Sequence, residues 1–74
     1  NELSGSNGSG ALENYSRLIK KGRFLDEVIF DLRDATYRFP VDVDIWQSLG
    51  DAYMRANRLQ DALDAYTKAE ELLR

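Results

Sequence analysis

The chain has 74 residues and contains neither cysteine nor histidine. Without cysteine, no disulfide staples so small a domain and no thiol can react. The two absences together remove the commonest general base, the usual nucleophilic dyads and the zinc-ligand sets. Compartment is left open by the lack of cysteine, with a cytoplasmic default. No apolar run approaches the roughly 20 residues needed by a membrane-spanning helix. The amino end shows no signal-peptide pattern. There is no long basic run, and 10 Lys and Arg against 13 Asp and Glu give a net charge of -3. That balance disfavours nucleic acid as a partner. The single proline, Pro40, marks one sharp interruption near the middle of the sequence.

What is present suits a soluble globular domain: 43% hydrophobic and 31% charged residues. Residues 1–10, NELSGSNGSG, form the exception. Their Gly/Ser-rich composition cannot bury a core and predicts a flexible linker, or a segment foreign to the domain. Asn7-Gly8-Ser9 and Asn14-Tyr15-Ser16 match the N-glycosylation pattern, but without evidence of secretion both are chance matches.

From residue 11 onward apolar residues recur at helical intervals. Residues 11–22 place Leu12, Tyr15, Leu18 and Ile19 on one stripe, with Lys20 and Lys21 favouring the negative end of the helix dipole before Gly22 ends it. Residues 24–39 do the same with Leu25, Val28, Ile29, Leu32 and Ala35, and Pro40 stops that helix. A third helix over residues 44–56 carries Trp46, Leu49 and Tyr53, with Asp42 and Asp44 at its amino end. A fourth over residues 59–73 carries Leu63, Tyr66, Ala69, Leu72 and Leu73. Asn57, followed by Gln60, is expected to cap it by accepting an orphan N–H. No strand signal occurs, so the fold class is all-α, with four antiparallel helices.

Nothing in the sequence carries chemistry. Asp42-Val43-Asp44 is too short for a calcium loop. Asp61 and Asp64 fit a solvated helix face better than a catalytic carboxylate pair. No catalytic residue, metal ligand or cofactor is expected, and the chain is not expected to be an enzyme.

Within residues 46–69 the residues Trp46, Leu49, Gly50 and Tyr53 spell W-x2-L-G-x2-Y, followed by the row Ala62, Tyr66 and Ala69. This resembles the tetratricopeptide repeat, a helix–turn–helix unit of about 34 residues. Sliding the pattern back by one repeat sets Leu12, Tyr15, Ser16 and Ile19 under the first four positions. Val28, Leu32 and Ala35 fall under the other three. Residues 9–42 therefore resemble a degenerate copy, followed by a second repeat over residues 43–74. Gly22-Arg23-Phe24 fits the turn better with one residue inserted.

The resemblance implies a short right-handed solenoid whose first helices line a groove that takes up a peptide or helix of a protein partner. The positions it assigns to that groove are Glu13, Arg17, Lys20 and Lys21, then Gln47, Asp51, Met54 and Arg55. Arg17, Lys20, Lys21 and Arg55 could meet an acidic peptide, with Met54 as an adaptable apolar contact. Glu13, Arg17 and Ser48 do not match the Lys/Asn clamp by which some members grip a peptide carboxylate. Stacked repeats need neighbours to cover their ends. Ile45, Ala52 and Leu63 are accordingly expected where a following helix would pack, which favours a homodimer or truncation from a longer chain. Glu70, polar where the family is usually apolar, points instead to a true terminus.

Overall fold

The computed structural model describes the backbone from Ser6 to Arg74 and the side chains from Leu12 onward. Four helices follow one another: α1 (Ser6–Lys21), α2 (Leu25–Arg38), α3 (Val43–Arg55) and α4 (Leu59–Leu72). They form two helix–turn–helix hairpins, and the fold is an all-α helical repeat. Helix α1 starts before the Gly/Ser-rich stretch ends. Residues 6–10 belong to it, and residues 1–5 of the expected linker lie outside the described residues. Extending a packed helix adds one hydrogen bond per residue without a new nucleus, so poor helix formers can be carried along.

Both hairpins turn through the same device. Gly22 lies in the left-handed region, with φ 67°. Its N–H donates to the Ile19 carbonyl (3.0 Å), and the Arg23 N–H donates to that of Leu18 (2.9 Å). Asn57, with φ 62°, repeats this geometry. Its N–H donates to Met54 (3.1 Å) and the Arg58 N–H to Tyr53 (2.8 Å). Each pair is a Schellman motif, satisfying carbonyls that the helix end leaves without partners.

Asn57 therefore closes α3 and does not cap α4. The capping position of α4 is Arg58, whose side chain makes no cap hydrogen bond. Asparagine is favoured at both kinds of position, and the left-handed backbone decides between them. In the first turn the left-handed glycine comes one residue earlier relative to the repeat, and Phe24 fills the gap with φ 55°. The inserted residue anticipated in the turn is thus offset by an earlier helix end. The helices come back into register at Leu25 and Leu59.

Between the hairpins α2 ends at Arg38, two residues before Pro40. The Phe39 N–H donates to Ala35 (2.8 Å). Asp42 then caps α3, its Oδ1 accepting from the Asp44 N–H (3.1 Å) and the Ile45 N–H (3.4 Å). Trp46 fastens this turn, as its indole Nε1–H donates to the Pro40 carbonyl at 2.9 Å. Its ring meanwhile packs against the core. A large aromatic with one polar atom suits a site that is apolar on one side and backbone-lined on the other.

Helix α3 is the centre of the fold. It packs against α1, α2 and α4, whereas α4 meets α3 alone. Leu32 and Val28 are the largest fully buried side chains, joined by Ile19, Ile29, Leu49 and Tyr53. Ala52 and Ala62 are wholly buried, giving room for the helices to approach. Gly50 serves the same end more sharply, because the Tyr66 ring lies across it. In the first hairpin the corresponding pair is Ser16 and Leu32. The shorter leucine turns into the core and Ser16 stays exposed.

Candidate functional site

Helices α1, α2 and α3 enclose an open cleft of about 1200 Å³. Helix α1 contributes Glu13, Ser16, Arg17 and Lys20, and α3 contributes Asp44, Gln47, Ser48 and Asp51. Of the groove positions expected from sequence, Glu13, Arg17, Lys20, Gln47 and Asp51 are brought together here. Lys21, Met54 and Arg55 are not part of the lining. Arg55 lies instead against the first turn, with its guanidinium in van der Waals contact with the space a Gly22 Cβ would occupy (3.4 Å). Lys21 and Met54 are exposed elsewhere. The four cations expected to meet an acidic peptide are thus split between the cleft and its surroundings.

The part of the cleft missed by the sequence reading is the wall from α2 and its turn: Asp31, Asp34, Arg38, Phe39 and Asp42. The available signal was the spacing of residues 31, 34 and 38, which places one polar stripe along one helix face. Asp31 is held there by the Tyr15 hydroxyl, which donates to its carboxylate at 3.2 Å. Asp34 pairs with Arg38 at 2.9 Å. Arg17 donates to the Asn14 side chain, a neutral acceptor that leaves its charge uncancelled.

The second hairpin contains a matching cross-tie, with the Tyr66 hydroxyl donating to Asp51. Both tyrosines are hard to ionise, burial being the main cause. For Tyr15 the charge of Asp31 and then the hydrogen bond follow. For Tyr66, pushed up to about 12, the hydrogen bond to Asp51 precedes its charge. Each phenol therefore stays a donor at neutral pH, and each acceptor carboxylate is held at the cleft wall. Among the described residues no group of three or more His, Cys, Asp or Glu side chains is placed to hold a metal ion. Nor is any helix among them long and apolar enough to cross a membrane.

The positions expected for self-association need correction. Ile45 is 8% exposed and Ala52 0%, both within this chain's own core. The reason is the central place of α3, whose Ile45 and Ala52 side is covered by the first hairpin. Leu63 alone is available, at 58% exposure, and Leu59 and Leu73 lie exposed on the same side of α4.

A smaller hollow of about 380 Å³ opens on the other side of α3, between α2 and α4. Its lining combines Trp46, Leu49 and Tyr53 with Arg33, Asp61 and Lys68. Arg58 is stationed nearby, its guanidinium 4.9 Å from the centre of the Tyr53 ring and paired with Asp61 at 2.8 Å. Arg58 and Asp61 thus cancel one another, and the Arg58 guanidinium covers the Tyr53 ring.

The sequence pattern of the tetratricopeptide repeat matches residues 43–74, which are α3, α4, the turn between them and the two residues after α4. No curated protein sequence and no solved structure matches the chain. Repeats of this kind generally mediate protein–protein interaction. Trp46, Leu49, Gly50 and Tyr53 on α3, set against Ala62, Tyr66 and Ala69 on α4, are the packed interior of that hairpin. Residues 43–74, the hairpin of α3 and α4, are thus a tetratricopeptide repeat.

Proposed function

We propose that the chain is a non-catalytic interaction module, and that the α1–α3 cleft takes up a segment of a protein partner. Residues 9–42 act in it as a diverged first repeat. The observation carrying this reading is the cleft itself, open along its length and lined by polar side chains of both first helices. Such a surface suits an extended or helical segment, which supplies its own backbone geometry and is held by side chains. The test is to select binders from a displayed random-peptide library and map them on the labelled chain by chemical-shift changes. Shifts clustered on α1, α2 and α3, with an affinity that Arg17→Glu changes while helicity stays the same, are the expected result. Binders that move only residues outside the cleft would refute it.

A second reading is self-assembly through the outer side of α4, favoured by the exposed Leu59, Leu63 and Leu73. Uncovered leucines on one helix side invite a partner helix. Light scattering over a concentration series should then show a dimer that Leu63→Glu converts to monomer. A wild-type monomer at every concentration excludes this reading.

A further inference from the structure

The strongest unexplained feature of the cleft is its charge. We infer that the segment it accepts is basic, a stretch of the partner bearing several Lys or Arg side chains. This rests on the reading of the cleft as the binding surface.

Among the described residues six carboxylates line it, those of Glu13, Asp31, Asp34, Asp42, Asp44 and Asp51. Three cations oppose them, Arg17, Lys20 and Arg38, leaving an excess of three negative charges. The internal contacts do not remove that excess. Asp34 and Arg38 cancel one another. Asp31 and Asp51 each accept a phenolic hydrogen, which is neutral and leaves the charge and further lone pairs in place. Asp42 is engaged at the positive end of the α3 dipole. Glu13 and Asp44 make no ion pair among the described residues and are both exposed.

The charges are also graded along the cleft. With Asp34 cancelled by Arg38, Asp42 and Asp44 leave the side of the α2–α3 turn negative, while Arg17 and Lys20 lie further along α1, towards the α1–α2 turn. The negative pole at the carboxyl end of α2 and the positive pole at the amino end of α3 meet at this turn and offset one another, so the side-chain charges decide the sign. A bound segment therefore places its cations beside the α2–α3 turn, where they are attracted, while any acidic residue faces Arg17 and Lys20. An acidic segment would need the four cations gathered, and Lys21 and Arg55 lie outside the lining. Because the cleft is open to water, the attraction is screened and should fall steeply with salt.

The test uses the full chain with two labelled short peptides, one alternating lysine and alanine and the other glutamate and alanine. The double variant Glu13→Lys/Asp44→Lys avoids the core and the Asp42 cap. Each reversal moves the balance by two, so together they turn the excess positive. The lysine peptide is expected to bind, to shift cleft resonances, to weaken with salt and to lose on the order of tenfold in affinity in the double variant. The neutral variant Glu13→Gln/Asp44→Asn should fall between. If the glutamate peptide binds in the cleft and is lost in Arg17→Glu, the basic assignment is wrong and the cleft reading survives. If the lysine peptide shifts only residues elsewhere and ignores the double variant, the cleft reading fails with it. Binding of neither peptide overturns the basic assignment.

Discussion

The contact between Gly50 and Tyr66 allows a prediction whose sign depends on the partner. A Cβ added at Gly50 would stand 2.6 Å from Cε1, 2.7 Å from Cδ1 and 2.9 Å from Cζ of Tyr66. Carbon atoms need about 3.5 Å, so the ring must move by roughly 1 Å. Tyr66 is only half-buried and yields outward, weakening its hydrogen bond to Asp51 and its packing on α3. Overpacking of this kind costs about 1–3 kcal/mol. Alanine regains about 1 kcal/mol of helix propensity over glycine. Gly50→Ala should therefore destabilise by about 1 kcal/mol, lowering the midpoint of thermal unfolding by about 4–8 °C for a domain of this size. The sharper measurement repeats the substitution in a Tyr66→Leu background. Leucine is what the first hairpin places at that position, as Leu32, where Ser16 carries a Cβ without conflict. There Gly50→Ala should stabilise by about 1 kcal/mol. Urea and thermal melts followed by circular dichroism decide the matter. Equal effects of Gly50→Ala in the two backgrounds would refute the contact as the reason for glycine.

Three further outcomes follow from local geometry. Phe24 holds φ 55° while more than half exposed, so Phe24→Gly should relieve left-handed strain and raise stability by about 0.5–1 kcal/mol in a urea melt. Asp42→Ala should lose the α3 cap and about 1 kcal/mol, whereas Asp42→Ser should retain most of it, measured in the same way. Tyr66 has its native pKa raised to about 12, so folding favours the protonated phenol. That contribution is whole below the ordinary value near 10 and is lost as pH rises through about 12. Phenolate absorbance and ellipticity should report this high-pH loss, and Tyr66→Phe should flatten it.

The fold was legible because its determinants are local. Spacings of three and four among Trp46, Leu49 and Tyr53 define a helix face, and Pro40 and Gly22 mark ends that few other residues would mark. Corresponding positions keep their places as well, with Ile19 and Tyr53 buried alike and Val28 with Ala62. Where the sequence reading failed, one residue type served two opposed roles. Asparagine can begin a helix through its side chain or end one through its backbone. Asn57 ends α3, because two N–H groups must reach back to Met54 and Tyr53. The sequence of a turn does not reveal which orphan groups will claim it.

The cleft was less legible for a different reason: its character is a sum over three helices. Arg17 and Lys20 on α1 suggested an anion-seeking surface when taken with Lys21 and Arg55. Asp31 and Asp34 reverse that sign, and they belong to the second helix of a hairpin, which the repeat pattern assigns to the outer side. They reach the cleft because Tyr15 anchors Asp31 across the α1–α2 interface, and because α2 delivers its last turns beside the cap of α3. The same central placement of α3 buries Ile45 and Ala52, which single-helix reasoning leaves exposed. Helix periodicity establishes that a residue lies on an apolar face; which neighbour covers that face depends on the packing order of the hairpins. In a two-hairpin molecule that order makes α3 the shared wall, so it forms one side of the cleft while supplying the core. Substitutions on α3 therefore divide by face. Those at Gln47 or Asp44 should change binding with little loss of stability, and those at Leu49 or Ala52 should unfold the chain before binding can be measured.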